Sequence, residues 1–518
     1  MNQFGQNKNT LEKTIVNTDN KAMNDLPPDA LVRIGKKGEG VYGIVYSALE
    51  IQTGGTRLAV KRNLIDKTGD FCGSIREMDL LARLNGHPHI VSLNSVSFGD
   101  PFGGVRGNAL SPVQDSEYKD DNVHFIFEEA HEDGVSYFSK ANWRDLKKSA
   151  VELLIAIEYC HAKGIIHRDL KPANLLIFYP GPVLKICDFG LSKPITNQGK
   201  QTPSIVTSWY RAPEILLDQN YDQKIDLWSV GCILYEMITK LPLLHGSPDR
   251  PNDILDYLTS VFPNLVPKRS RSLSRKTRTT WQSQIKKKAQ EFSNQLIEQD
   301  WDIDLFIDLL EHLLVSAQDR YTAHQALEHP FFAHQKDYII SIQDKFPPIR
   351  DNEVSIKIDR CQERSVMCNF AKSIFKNKHK YSWYSDRILF QAISLYDRYM
   401  TRRTQANTKI RAAFLSCLYL AIKYFTTLTP LIPFTVIYGE ISYDDKKWVE
   451  HFEYNLIDKI CGYVIYQPTL YESPDLFNEV ITPKHVEDLF NITCSGLVGD
   501  KDINGLLPSQ VYSYYKDL

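Results

Sequence analysis

The stretch His167-Arg168-Asp169-Leu170-Lys171-Pro172-Ala173-Asn174, followed downstream by Asp188-Phe189-Gly190, decides how this chain is read. Asp169 is placed to accept a proton from a hydroxyl group, and Lys171 to steady a terminal phosphate. Asn174 and Asp188 offer oxygen atoms of the kind that a hard cation such as magnesium takes. An ordinary surface turn has no need of all four, so the set points to phosphoryl transfer, which is catalysed chiefly by positioning and charge.

Upstream, Gly38-Glu39-Gly40-Val41-Tyr42-Gly43 fits GxGxxG. Glycines there let the backbone approach phosphates that a Cβ would hold off. The motif alone is weak. A dinucleotide fold would continue into a helix, whereas Gly43-Ile44-Val45-Tyr46 continues as a β-prone run. Gly38, Gly40 and Gly43 are therefore read as positions where the backbone approaches phosphates, and the resemblance of the segment to a kinase glycine loop implies nucleotide contacts at Ile34, Gly35 and Val45 beside it as well. Lys61 closes the run Leu58-Ala59-Val60-Lys61, where an ammonium can hold phosphates, although by itself it reads equally as a surface lysine. Glu77, in the helical pattern Gly73-Ser74-Ile75-Arg76-Glu77-Met78-Asp79-Leu80-Leu81, is its expected ion-pair partner.

The remaining composition narrows the setting. With 518 residues the chain exceeds a single ordinary core, and two or three domains are expected. A net charge of -2 argues against a general nucleic-acid or membrane-surface binder. The nine cysteines are scattered, with no CxxC pair, which disfavours a disulfide framework or a zinc site and suggests a reducing compartment. Residues 1–28 carry no apolar signal segment, and the apolar run 412–425 is short and contains Lys423, so a soluble cytoplasmic or nuclear protein is expected.

Short β-prone runs at 31–34, 43–48, 57–61 and 123–127 suggest a small antiparallel sheet, interrupted by one helix around Ile75, Met78 and Leu81. Helical stretches such as 150–163 and 224–239 dominate afterwards. Residues 99–122, rich in Gly, Pro, Asp and Ser, read as a mobile inserted loop. The basic run 268–288 reads as a solvated face or, alternatively, as a targeting or acidic-partner patch. After a linker, apolar residues again recur at helical spacing from Ile388 onward.

With these motifs in place, the HRDLKPAN, DFG and WYRAPE segments resemble the protein kinases, and SIREMDLL resembles the cyclin-dependent subfamily. The resemblance implies an α+β, bilobal kinase fold, a small β-sheet lobe before a large helical lobe, and an ATP-dependent and Mg2+-dependent serine/threonine kinase. It assigns Asp169, Lys171, Lys61 and Glu77 to catalysis and Asn174 and Asp188 to the metal. Phe127-Glu128-Glu129-Ala130-His131-Glu132-Asp133 is similar to the hinge, implying adenine contacts at Glu128 and Ala130 and a ribose contact at Asp133. Ile205 to Glu214 resembles the segment that selects proline after the phosphoacceptor, which implies protein substrates at Ser/Thr-Pro sites. Glu214 with Arg320 resembles a structural ion pair of the family, and Asp226-Leu227-Trp228-Ser229 its scaffolding segment.

Thr202 stands where the family carries an activating phosphothreonine, with Arg76, Arg168 and Lys193 as the implied phosphate cluster. Lysine at 193 departs from the usual arginine and cannot offer the same bidentate fork. Thr202 precedes Pro203, so it is itself a proline-directed site, open to modification by the same enzyme. Tyr42 matches an inhibitory tyrosine, or merely packs over the loop, while Val41 replaces the neighbouring threonine. Phe71-Cys72-Gly73-Ser74 departs from the usual start of the partner-docking helix.

Ile388 to Met400, Ala412 to Tyr424 and Phe452 to Thr469 resemble consecutive stretches of a cyclin box, with Asp397-Arg398-Tyr399, Lys423 and Pro468-Thr469 at marker positions and Glu453 as the implied partner of Lys423. The expected organisation is a disordered leader at 1–29, a kinase domain at 30–333, a linker at 334–360, an all-α cyclin-like domain at 361–475 and a tail at 476–518. A flexible linker of about 25 residues spans roughly 25 to 30 Å, enough for docking in cis at millimolar effective concentration. The chain then reads as a kinase activated by its own cyclin-like domain, with an external cyclin as the other possible partner. The competing readings are a catalytically silent scaffold and a kinase whose helical domain only recruits partners. Pseudokinases commonly lose one of the positions that Lys61, Asp169, Asn174 and Asp188 keep here.

Overall fold

The computed structural model describes residues 31–40, 43–50, 55–63, 72–98, 101–102, 123–194, 208–244, 251–262, 280–291, 301–348, 362–377, 384–402, 410–425 and 483–495, with isolated positions at 265 and between 497 and 511. The chain divides into two compact units, one of residues 1–66 and 91–132, the other of residues 67–90 and 133–518.

The first unit is an antiparallel sheet of β1 (Leu31–Gly40), β2 (Gly43–Glu50), β3 (Thr56–Asn63), β4 (Leu93–Phe98) and β5 (Val123–Glu128), in the order β1-β2-β3-β5-β4. The register sets Tyr46 opposite Val60 and Ala48 opposite Leu58, so alternate residues of two strands share one face. Together with Leu31, Phe102 and Ile126 they form its core. Phe102 meets Tyr46 edge-on at 6.0 Å, and the Leu31 N–H donates to Pro101 O at 3.2 Å. The beginning of the inserted loop is therefore fastened to the sheet rather than loose; residues 103–122 lie outside the described residues.

In the second unit the Lys224–Thr239 helix is buried almost all round, as a helix apolar on every face must be. Gly231 allows this closeness, since a Cβ there would stand 2.8 Å from Leu314 Cδ2. The Trp143–Ala162 helix begins at Asn142, whose side chain accepts from the Asp145 N–H. Arg320 donates to Glu214 at 2.6 Å and to the carbonyls of Val315 and Lys224, so this buried charge is met on every side.

Two differences from the expected organisation concern the chain after the kinase motifs. Residues 336–345, expected in a flexible linker, form the Lys336–Lys345 helix. The Tyr338 hydroxyl lies 2.9 Å from His89 Nε2 and 3.2 Å from Glu152 Oε1, and Gln343 donates to Glu158 at 2.6 Å, so buried polar groups hold the helix against the Trp143–Ala162 helix. The expected tail contains the Pro483–Ser495 helix, whose Phe490 stacks on Phe375 at 4.3 Å and meets Phe390 at 5.9 Å. It belongs to the core formed with the Gln362–Lys376, Asp386–Arg402 and Ile410–Phe425 helices. Asp397 accepts two hydrogen bonds from Arg364, at 2.7 and 2.9 Å, and Arg364 also donates to the carbonyls of Thr493 and Cys494. Of the basic run, residues 286–288 lie on the Trp281–Glu291 helix, and 268–279 are outside the described residues, as are 452–469 with Glu453.

Candidate active site

The HRD segment is built on one buried carboxylate. Asp226 accepts from the His167 N–H at 2.8 Å, the Arg168 N–H at 2.9 Å and His161 Nε2 at 2.9 Å. Burial opposes ionisation of Asp226, but these donors outweigh it and hold its carboxyl below the ordinary value. A depressed carboxyl stabilises the fold fully above its unfolded value of about 3.9, and that contribution is lost as pH falls through the folded value. Acid unfolding followed by tryptophan fluorescence should therefore show wild-type stability falling with pH below about 4, with a flatter dependence for Asp226→Asn. Equal slopes would show that Asp226 does not stabilise the segment through its charge.

Held in this way, Arg168 takes a φ of 72° and Asp188 a φ of 64°, left-handed conformations that are costly for residues other than glycine and that cluster where function fixes the backbone. The His167 ring donates from Nε2 to Cys187 O at 3.0 Å, accepts at Nδ1 from the Asp169 N–H, and packs on Phe189 with centroids 4.9 Å apart. It ties the HRD and DFG segments together.

Asp169 is 8% exposed, and its Oδ2 accepts from Lys171 Nζ at 2.7 Å and Asn174 Nδ2 at 3.0 Å. Asn174 Nδ2 also donates to Asp169 O at 2.7 Å. Both amide protons are thus committed to Asp169, which turns Oδ1 the other way, as an oxygen ligand for a cation requires. Glu77 is buried, and the DFG glycine brings it near: a Cβ on Gly190 would stand 3.5 Å from Asp188 Oδ1 and 3.6 Å from Glu77 Oε2. The Cys72–Leu84 helix, Asp188 and the HRD acids therefore share one unit.

In the sheet unit, Lys61 on β3 stands opposite Val45 and Phe125. Gly38 stands opposite Val45, next to a register shift, and another shift lies between Arg33 and Gly35, with Ile34 between them. Gly35 and Gly38 face open space, whereas a Cβ on Gly43 would stand 2.4 Å from Arg62 O. Gly43 is therefore required by strand packing, a reason the phosphate reading of the motif did not contain. Gly40 pairs with Gly43, and Val41 and Tyr42 lie outside the described residues. Glu128 accepts from the Ser92 N–H at 2.9 Å, and Ala130 O accepts from Lys37 Nζ at 2.5 Å. In the second unit Asp133 caps the Gly134–Lys140 helix, accepting from the Ser136 N–H at 2.8 Å.

Thr202 is outside the described residues, and Lys193 is described only through its backbone pairing with Ile166. Arg168 donates to Leu191 O at 3.1 Å. Arg76 donates to Tyr424 O at 3.4 Å, and the Tyr424 hydroxyl donates to Asp79 Oδ2 at 2.8 Å. The Cys72–Leu84 helix thus packs on the Ile410–Phe425 helix through Arg76, which the sequence reading assigned to a phosphate cluster, and through Asp79 and Tyr424, which it did not single out. Their one signal was a carboxylate, Asp79, set among Met78, Leu80 and Leu81. Among the described residues, Asp308, His312 and His329 also converge as metal-capable groups. Asp308 already accepts from His329 Nε2 at 3.0 Å and, through its carbonyl, from His312 Nδ1 at 2.8 Å.

Comparison with known proteins agrees with this geometry. The protein kinase domain family matches residues 31–332, and the cyclin N-terminal domain family matches residues 337–463. Cyclin-dependent kinase 4 of Xenopus laevis is 33% identical over 316 residues, covering 58% of this chain and 89% of the relative. Cell division control protein 2 homolog D of Antirrhinum majus is 33% identical over 310 residues, covering 59% and 94%. Cyclin-dependent kinase C-3 of Oryza sativa subsp. japonica is 36% identical over 239 residues, covering 46% and 72%. No helix among the described residues is long and apolar enough to cross a membrane. Protein kinases of this family use ATP and magnesium and act on protein substrates. The chain belongs to the protein kinase family, as a serine/threonine kinase of the cyclin-dependent type that carries a cyclin domain of its own.

Proposed function

We propose that this chain transfers phosphate from ATP to serine or threonine followed by proline, with its own helical domain as the cyclin that positions the catalytic helix. The observation that carries this reading is the packing of the Cys72–Leu84 helix, which bears Glu77, on the Ile410–Phe425 helix through Asp79 and Tyr424.

In the reaction, Asp169 takes the proton of the substrate hydroxyl as its oxygen attacks the γ-phosphorus, and the bond from that phosphorus to the β-γ bridging oxygen breaks. Lys171, hydrogen-bonded to Asp169, counters charge on the transferring group. Asn174 and Asp188 would hold magnesium, which would supply charge neutralisation at the phosphates. Lys61 orients the α and β phosphates, and Ile34, Gly35, Gly38, Gly40, Gly43 and Val45 border the nucleotide. Glu128 and Ala130 read the adenine and Asp133 the ribose. For Ala130 and Asp133 this requires Lys37 and the helix cap to release part of their present bonding. Cysteines 160, 187, 232, 368, 417 and 494, described as thiols, fit a reducing compartment, cytoplasm or nucleus.

Full-length protein assayed with magnesium ATP on peptides varied at the residue after Ser or Thr should favour proline over alanine by about tenfold or more in kcat/KM, roughly 1.4 kcal/mol of transition-state binding. Equal rates with the two residues would refute proline direction.

A further inference from the structure

We infer that Cys368 and Cys494 are a reversible redox pair, which hydrogen peroxide joins as a disulfide that locks the Pro483–Ser495 helix to the Gln362–Lys376 helix. The pair lies in the helical domain and uses none of the groups that carry out phosphoryl transfer.

Both cysteines are buried, at 5% and 6% exposure, and their thiols are hydrogen-bonded to each other across the two helices. Two further contacts hold them there. Phe375, two turns after Cys368, stacks on Phe490, one turn before Cys494, with centroids 4.3 Å apart and planes within 8° of parallel. Arg364, one turn before Cys368 on the same helix, donates to the carbonyls of Thr493 and Cys494 at 3.0 and 3.1 Å, while two hydrogen bonds to Asp397 fix its guanidinium. Those carbonyls belong to the last turn of the Pro483–Ser495 helix, where the backbone offers them no partner within the helix. One arginine thus shares a helix face with the first cysteine and grips the backbone of the second, which keeps the two sulfur atoms together.

The surroundings also favour reaction over simple packing. The hydrogen bond that Cys494 donates holds the Cys368 thiol below its ordinary value, and the charges of Arg364 and Lys372 add to this against burial and the charge of Asp397. In the kinase domain the direction is opposite, since burial pushes the thiols of Cys160 and Cys232 up. Cys368 is therefore the attacking sulfur. Its thiolate attacks one oxygen of the peroxide, the O–O bond breaks, and the hydroxide released takes up the proton that Cys368 gave, leaving a sulfenic acid and water. The Cys494 sulfur then attacks the sulfenyl sulfur, the S–O bond breaks, and the departing hydroxide leaves as a second water with the Cys494 proton. Two thiols are oxidised by two electrons, and one peroxide is reduced to two waters. Cys494 lies in the last turn of its helix, and helix ends open locally at little cost, which admits so small an oxidant. The bond closes a loop of about 125 residues, long enough to constrain the unfolded domain strongly. In a reducing compartment it is transient, as redox-sensing disulfides are, and thiol exchange with a reduced dithiol reverses it.

The test treats reduced full-length protein with hydrogen peroxide and maps the thiols by proteolysis without reductant and mass spectrometry. A peptide joining Cys368 to Cys494, lacking two hydrogens, should be the main oxidised product and return to thiols with dithiothreitol, while Cys160 and Cys232 stay reduced. Amide exchange of residues 483–495 should slow by about tenfold or more in the oxidised protein. Cys494→Ala should leave Cys368 as a sulfenic acid that a dimedone probe traps. In urea the unfolded wild-type chain should form the same crosslink at least about tenfold more slowly, because the fold no longer holds the thiols together. That comparison needs no variant to fold. Cys368 remaining reduced, or passing to sulfinic acid with Cys494 still a thiol, overturns the inference. Crosslinking as fast in urea, or unchanged exchange of residues 483–495 after oxidation, overturns it equally.

Discussion

Asp169→Asn in the full-length protein should lower kcat on a Ser/Thr peptide by about 10²- to 10⁴-fold while nucleotide affinity and thermal stability stay close to wild type. Asparagine preserves the size of the side chain and an oxygen that can accept from Lys171, so the pocket formed with Lys171 and Asn174 keeps its packing. What is lost is the capacity to take a proton. The loss should appear in kcat and in kcat/KM alike, because proton transfer belongs to the transition state and not to substrate binding. Single-turnover phosphate transfer, with fluorescent-nucleotide binding alongside, distinguishes the outcomes. A variant that keeps wild-type kcat would remove Asp169 from the mechanism as the acceptor of the hydroxyl proton.

Truncation after residue 348 should lower kcat/KM on the same peptide by on the order of a hundredfold. The cut leaves the Lys336–Lys345 helix in place, with Tyr338 and Gln343 still bonded to the Trp143–Ala162 helix, so the large helical lobe loses none of these contacts. The Cys72–Leu84 helix loses its cover. Asp79 then returns to water at little cost, and the helix carrying Glu77 is no longer held by Tyr424 and the end of the Ile410–Phe425 helix. Thermal unfolding of the truncated protein establishes that it is folded before activity is compared. Activity within about twofold of the full-length chain would eliminate activation in cis and leave recruitment as the role of the helical domain.

Positions close together in sequence were the legible ones. Asp169, Lys171 and Asn174 fall within six residues, and the hydrogen bonds joining them run over two to five positions. A motif of that length carries most of its own geometry. The Lys224–Thr239 helix and the Asp386–Arg402 helix were visible for a similar reason, since apolar spacing along a helix directly reports its buried side. The Lys336–Lys345 helix was read as linker because its apolar content is slight, with Ile339 its one buried residue, and its anchors are polar groups far away in sequence. The Pro483–Ser495 helix was read as tail because its ring partners, Phe375 and Phe390, lie about a hundred residues earlier.

By itself the sequence determined the chemistry of this protein. The residue types and spacings of the HRD and DFG segments, the lysine on β3 and the glutamate on the next helix admit few other uses. Only the tertiary structure decided what supports and directs that chemistry. It showed that Asp226 carries the backbone of the HRD segment from 58 and 59 positions away, and that Gly43 answers to the Arg62 carbonyl. It also placed the carboxylate of Asp79 against a tyrosine 345 residues further on. Local spacing is fixed by the covalent chain. A buried polar group gains its partner only when distant segments meet, and neither residue type nor periodicity names that partner in advance.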